Sequence, residues 1–212
     1  MPVHASAVIV ATTIFSYFIG ALPFGYLLVH FSLGKDLRTM GSGNIGATNV
    51  HRTLGGKAGV LVLGLDIMKG LLAVWVTALL THGDPLGVAL ATAAVMLGHC
   101  YPVFLGFKGG KAVACFIGAF CYVTPLAFLA IVPVFLVVVA ISRYISLGSI
   151  VAALFFPFAV WRIERPASPI LTAAIFAAVL IVYRHKSNIR RLASNEEHTF
   201  SLRGGSHGDR VP

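Results

Sequence analysis

Six apolar stretches run along the chain, separated by short polar breaks. Residues 5–31 carry no charge, and about 20 apolar residues in a helix suffice to cross a bilayer. Residues 58–81 are apolar apart from Asp66 and Lys69, and residues 85–105, 144–161 and 166–183 are uncharged. The remaining stretch, 112–142, is too long for one crossing. As a single helix it would measure about 46 Å, against a hydrocarbon core of about 30 Å. The alternative is two shorter helices that turn near Thr124 and Pro125.

Basic residues choose between the two. Lys35 and Arg38 follow the first span, which puts the N-terminus outside and residues 32–57 in the cytoplasm. Six spans would divide the sixteen Lys and Arg almost evenly between the two sides. Seven spans leave only Arg162 and Arg165 outside and Lys69 within the membrane, with all the others inside, so the positive-inside rule favours seven. The expected fold is all-α: a polytopic membrane helix bundle of seven transmembrane helices, N-terminus outside and C-terminus cytoplasmic. Residues 1–192 form a single integral membrane domain. Residues 193–212, rich in Ser, Gly, Asn and charge, read as a polar cytoplasmic C-terminal tail, solvated and mobile.

Composition agrees with this. The mean hydropathy is +0.89 and 11% of residues are charged, where a soluble domain has about a quarter. The first 34 residues hold no Lys or Arg, so the charged head of a cleavable signal peptide is missing and the first span is expected to be retained. The net charge of +9 either records topology or attracts anionic lipids and phosphates. Cys100, Cys115 and Cys121 lie in apolar stretches without a CxxC pair, and are expected to be buried small hydrophobes, neither disulfide nor metal ligand.

Three polar segments then share the cytoplasmic face. The first, "GSGNIGATNVHRTLGGKAG" (41–59), has six glycines and no carboxylate. Glycines such as Gly43 let backbone N–H groups converge on an anion. Ser42, Asn44, Thr48 and Asn49 add neutral hydrogen-bonding groups, and Arg52 adds a planar fork suited to phosphate oxygens. A flexible connector is the plainer alternative; the absence of acids around Arg52 favours an anion site. The second, "GHCYPVFLGFKGGKAVA" (98–114), sets Gly109, Gly110 and Lys111 just ahead of an apolar helix, where free N–H groups favour a phosphate. Leu105 and Ala112 break the nucleotide P-loop pattern, which excludes ATP or GTP hydrolysis there. The alternative is a Lys111 that only snorkels at the membrane boundary. The third, "RHKSNIRRL" (184–192), is by charge alone a positive-inside anchor. His185 and Asn188, spaced i,i+3, would share a helical face and one ligand.

Asp66 and Lys69, also i,i+3 but inside a span, are expected to form a structural ion pair. His99 reads as a hydrogen-bonded helix-end histidine. Seven scattered acids offer no carboxylate cluster for Mg²⁺ or Ca²⁺, so no metal and no cofactor are expected. The HxxxxD arrangement of acyl-CoA-type glycerolipid acyltransferases is absent. What remains is phosphate binding without a metal at a membrane surface. A transporter for an organic phosphate is the rival class, but it would call for midmembrane polar groups and repeated halves.

These three motifs, in order, resemble the signatures of the bacterial acyl-phosphate:glycerol-3-phosphate acyltransferases, and "LDIMKG" (65–70) fits as well. The resemblance runs from the first loop to Leu192. It implies transfer of a fatty acyl group from acyl phosphate to the 1-hydroxyl of glycerol 3-phosphate, giving 1-acylglycerol 3-phosphate (lysophosphatidate) and inorganic phosphate. This is the first step of bacterial phospholipid synthesis. By the same resemblance, Ser42, Arg52, His185 and Asn188 are the catalytic residues. Gly109, Gly110 and Lys111 match the glycerol-phosphate segment, with Gly43, Asn44 and Asn49 completing substrate binding. Ala112 stands where the family usually has glycine, Asn195 where glycine often precedes the C-terminal Glu, here Glu197, which is taken as structural. The implied partners are the two substrates and membrane lipid, with no nucleic acid. The implied state is a monomer in the bacterial inner membrane with its active site facing the cytoplasm.

Overall fold

The computed structural model describes residues 3–199, so residues 200–212 of the expected tail lie outside the described residues. Among the described residues there are ten α-helices and no strand. α1 (Val3–Ala21) and α2 (Phe24–Leu33) follow one another across a break at Leu22 and Pro23, and a short helix, α3 (Ala47–Leu54), precedes α4 (Gly56–Leu80). After these come α5 (Pro85–Cys100), α6 (Val113–Val123), α7 (Pro125–Ser142), α8 (Ile145–Ala159), α9 (Ser168–Arg184) and α10 (Lys186–Ala193). A wider π turn, Val160–Glu164, ends α8.

Five helical runs are long and apolar enough to cross a membrane: Ala5–Leu33, Gly56–Leu80, Pro85–Leu105, Pro125–Ser142 and Ile145–Glu164. α9 and α10, bent by 53° at their junction, make a sixth if taken as one span. The long stretch does divide at Thr124, as its length demands. Its first half is short, however. The 11 residues of α6 rise about 16 Å, half a hydrocarbon core.

The helix ends follow local chemistry. Asp84 caps α5 by accepting from the Gly87 amide at 2.8 Å, with Pro85 in the first turn. α7 also begins on a proline, Pro125, but its cap comes from another element. Glu164 Oε1 accepts from the amides of Leu126 (2.9 Å) and Ala127 (3.3 Å), placing a carboxylate at the positive end of the helix.

Two helix pairs meet backbone to backbone through glycine. A Cβ on Gly118 of α6 would lie 1.9 Å from the Ile67 carbonyl oxygen of α4, and one on Gly70 of α4 would lie 2.3 Å from the Cys115 carbonyl. Gly20 and Gly98 do the same for α1 and α5. Hydrogens at these points let helices pack closely where lipid offers no hydrophobic drive. Phe116, Phe120 and Phe156 fill the space between α6 and α8 with edge-on ring contacts, 4.7 Å from Phe156 to each partner. Asp66 and Lys69 pair as expected, Lys69 Nζ lying 2.7 Å from Asp66 Oδ1 and also donating to the Leu22 carbonyl at 2.8 Å, where α1 breaks. All three cysteines are free; Cys100 and Cys115 are buried, but Cys121 is exposed rather than buried.

Candidate active site

The loop between α2 and α3 is held by one side chain. Asn49, 1% exposed, sits on α3 and points back under the loop. Its Nδ2 donates to the carbonyls of Met40 and Asn44, each at 2.9 Å, and more distantly to Leu37. Its Oδ1 accepts the Ser42 amide at 3.0 Å. Asn44 closes a local turn by accepting from the Gly46 amide. Asn49, expected to bind substrate, therefore has both ends of its amide engaged by protein and serves instead as the loop's internal tie. Ser42 is left with a side-chain hydroxyl that makes no hydrogen bond among the described residues.

The second motif departs from expectation in a similar way. The amides of Gly109 and Gly110 were expected to face a phosphate, but they donate to the carbonyls of Cys100 (3.2 Å) and His99 (2.9 Å). Their own carbonyls accept from Arg184, Nη2 to Gly109 at 2.9 Å and Nε to Gly110 at 3.0 Å. The glycines are required by packing: a Cβ on Gly110 would lie 2.0 Å from His99 Nε2. His99 is buried at the end of α5, but its ring makes no hydrogen bond among the described residues, Nδ1 lying 3.7 Å from Asp66 Oδ1. Arg184, which looked like an anchor, is the brace of this segment, with its guanidinium also 4.9 Å from the Tyr101 ring centroid.

The brace delivers Lys111. Its ammonium donates to Asn188 Oδ1, while Asn188 Nδ2 donates to Glu197 Oε1 at 2.6 Å. Glu197 also accepts from Ser146 Oγ of α8 (2.8 Å) and from Arg191 Nε (2.7 Å). These bonds outweigh the effect of burial and hold the Glu197 carboxyl below its ordinary range. The carboxylate fixes the Asn188 amide so that its oxygen faces Lys111. Burial pushes the Lys111 ammonium down to about 8; Glu197 opposes this, and Arg191, Arg52 and Arg184 reinforce it. Arg52 on α3 makes no hydrogen bond or ion pair among the described residues, so its fork is free.

His185 lies at the bend between α9 and α10, not on a continuous helical face. Its Nδ1 contacts the Ile181 carbonyl at 2.7 Å. Because a carbonyl can only accept, Nδ1 carries the proton and Nε2 keeps its lone pair. Burial first, and then the neighbouring Lys111 charge, push the ring down to about 4, so it is neutral at pH 7.

A cavity of about 190 Å³ opens among Ser42, Gly43, Asn44, Gly109, Lys111, Arg184, Tyr183, Lys186 and Ser187. The structure thus brings loop, second motif and third motif to one place. Sequence reasoning missed Arg184, Arg191 and Lys186, which a charge run disguises, and Ser146, which nothing marks in an apolar span. Both departures from the family pattern fall on left-handed backbone: Ala112 at φ 59° and Asn195 at φ 58°. Glycine relieves strain at such positions. The turn at Asn195 brings the half-buried Glu197 back onto α10, while its neighbours at the start of the tail are exposed. Among the described residues no three His, Cys, Asp or Glu group together as metal ligands.

A family model described as glycerol-3-phosphate acyltransferase matches residues 10–195. A glycerol-3-phosphate acyltransferase of Geobacter sulfurreducens is 47% identical over 89% of this chain and 95% of its own. One from Geobacillus kaustophilus is 43% identical over 86% and 91%. The crystal structure of an integral membrane glycerol 3-phosphate acyltransferase in its glycerol 3-phosphate form matches with TM-score 0.86 and 41% identity, covering 91% of this chain and 96% of that one. A lysophosphatidic acid form matches with TM-score 0.82 and 38% identity, covering 92% and 96%.

Proposed function

The chain belongs to the glycerol-3-phosphate acyltransferase family, and from that premise we propose that its donor is acyl phosphate and that the cavity at Ser42 and Lys111 is where both substrates meet. A fatty acyl group moves to the 1-hydroxyl of sn-glycerol 3-phosphate, releasing 1-acylglycerol 3-phosphate and inorganic phosphate. The observation that carries this reading is the imbalance of charge around the cavity. Lys111, Arg52, Arg184 and Arg191 surround it or lie within electrostatic reach, and Glu197 is the carboxylate facing them. Two phosphorylated substrates supply the missing negative charge.

Lys111 and the free Arg52 fork take the phosphate of glycerol 3-phosphate, and Ser42 Oγ, which makes no hydrogen bond among the described residues, holds the acyl phosphate. The glycerol oxygen attacks the acyl carbonyl carbon, the bond from that carbon to the phosphate oxygen breaks, and phosphate leaves. At about 4 the His185 ring is a weak base, which supports its orienting the hydroxyl through Nε2 while a phosphate oxygen takes the proton. Holding both reactants in line supplies about 7–11 kcal/mol through proximity. Purified protein given palmitoyl phosphate, palmitoyl-CoA or an acyl carrier protein thioester with glycerol 3-phosphate should yield lysophosphatidate from the first. Product from a thioester alone would overturn the donor assignment. An acyl group trapped on Ser42 would overturn direct attack.

The same proposal includes seven crossings, an external N-terminus and a cytoplasmic site in the inner membrane of a bacterium, worked by a monomer. Two pins at opposite ends of α8 support the path. Ser146, at its start, bonds Glu197, and Glu164, past its end, bonds Leu126. α6 (Val113–Val123) starts two residues after Lys111, which reaches Glu197 through Asn188, and is followed by Thr124, close in sequence to Leu126. Short as it is, it joins the same two ends that α8 joins.

A further inference from the structure

A second cavity, about 490 Å³, lies far from the first and is lined by Trp161, Arg162, Arg165, Pro166 and Leu171. Within the helical run Ile145–Glu164, Trp161 stands fifteen positions after Ser146, about 22 Å at 1.5 Å per residue. It therefore opens at the opposite end of the bundle. We propose that this cavity binds the phosphate of an anionic phospholipid, phosphatidylglycerol, with an acyl chain laid along Trp161 and Leu171. This site is separate from the acyl transfer.

Three independent features converge on it. Both arginines are exposed and make no hydrogen bond or ion pair among the described residues. The carboxylate between them in sequence, Glu164, turns away to accept from the amides of Leu126 and Ala127 and forms no ion pair with either arginine among the described residues, leaving both guanidinium forks open to a ligand. The backbone is unusual as well: the chain leaves α8 through a π turn and sets Arg165 in the left-handed region at φ 45° and ψ 51°. Such a conformation is unfavourable for any residue that carries a Cβ and persists where the surroundings demand it. Its result is that two guanidiniums three positions apart line one cavity, with Trp161, 56% exposed, forming an apolar wall open to lipid. Indole at this depth, guanidinium beyond it and an apolar floor match the headgroup-to-acyl boundary of a phospholipid. Guanidinium pairs recognise phosphate oxygens through forked hydrogen bonds.

The test uses full-length protein in phosphatidylcholine nanodiscs. Trp75→Phe leaves Trp161 as the sole tryptophan, and its fluorescence is read while brominated phosphatidylglycerol or brominated phosphatidylcholine is titrated in. Two arginines at an anionic headgroup predict about a thirtyfold preference for the glycerol lipid at low salt. Arg162→Gln with Arg165→Gln should abolish the preference, and lysophosphatidate formation by that variant verifies its fold. Equal quenching by the two brominated lipids in the unaltered arginine background overturns the proposal without recourse to any variant. So does a preference that survives the double substitution. A preference erased by millimolar inorganic phosphate would assign the cavity to a free anion and likewise overturn the lipid.

Discussion

Raising the pH from 7 to 9 should turn off Lys111. Burial sets its ammonium at about 8, so at pH 7 about nine molecules in ten carry the charge and at pH 9 about one in eleven does. If the charged form takes glycerol 3-phosphate, kcat/KM for that substrate falls about tenfold over the interval, since kcat/KM reports groups of the free enzyme. The substrate is already a dianion above pH 7, its second phosphate ionisation lying near 6. The His185 ring, at about 4, is neutral throughout. The assay is initial-rate formation of lysophosphatidate from palmitoyl phosphate at varied glycerol 3-phosphate, from pH 6.5 to 9.5. Lys111→Arg, which stays charged, should lower the rate but flatten the decline. Glu197→Gln removes the carboxylate that raises the Lys111 value and should move the midpoint below 8. Stability must move the other way. The folded value lies below the unfolded value of 10.5, so between about 8 and 10.5 the unfolded chain binds the extra proton and this group's contribution to folding rises with pH. Over that window the gain is at most about 3 kcal/mol, reduced by water at the cavity mouth. A kcat/KM flat to pH 9.5, or one equally steep in Lys111→Arg, would refute the assignment.

Other substitutions probe the supports. Glu197→Ala removes the acceptor shared by Asn188, Ser146 and Arg191; unfolding in detergent should show a loss of about 1–3 kcal/mol, with kcat falling as Asn188 turns from Lys111. Ala112→Gly relieves a left-handed alanine and should raise the melting temperature, a gain of about 0.5–1 kcal/mol once the greater freedom of the unfolded glycine is deducted. Gly118→Ala drives a Cβ to 1.9 Å from the Ile67 carbonyl; parting α4 from α6 should cost about 1–3 kcal/mol and raise the KM for glycerol 3-phosphate, because α6 follows directly from Lys111.

How much of this a reader of the sequence could obtain depends on whether a property is one-dimensional. Hydrophobic length and basic-residue asymmetry are, so the division at Thr124 and the bundle's helical nature were legible, as was the pairing of Asp66 with Lys69, which sit on one helix face. The break at Leu22 and Pro23 was less so, since an uncharged run hides an interruption within one span. The site was legible in its members more than in their roles. Gly109 and Gly110 were singled out for their amides, yet these bond to the end of α5, and that depends on α5 lying alongside. Asn49 and Arg184 were taken for a substrate ligand and an anchor because a polar side chain near a loop does not reveal whether it faces in or out. Ser146 could not be found at all: only the return of the chain at Asn195 places Glu197 against it. The positive φ at Ala112 and Asn195 explains why glycine suits those positions, and no composition argument supplies an angle.

Asn49 has a thermodynamic corollary for the loop it ties. Fixing a free backbone costs about 1–2 kcal/mol per residue, and a floppy glycine segment would charge that cost against every ligand it captured. Here the carbonyls of Met40 and Asn44 and the amide of Ser42 are already secured, so the entropy of organising the cradle is lost once, during folding. Substrate affinity is then set by charge and dehydration rather than by the cost of ordering the loop.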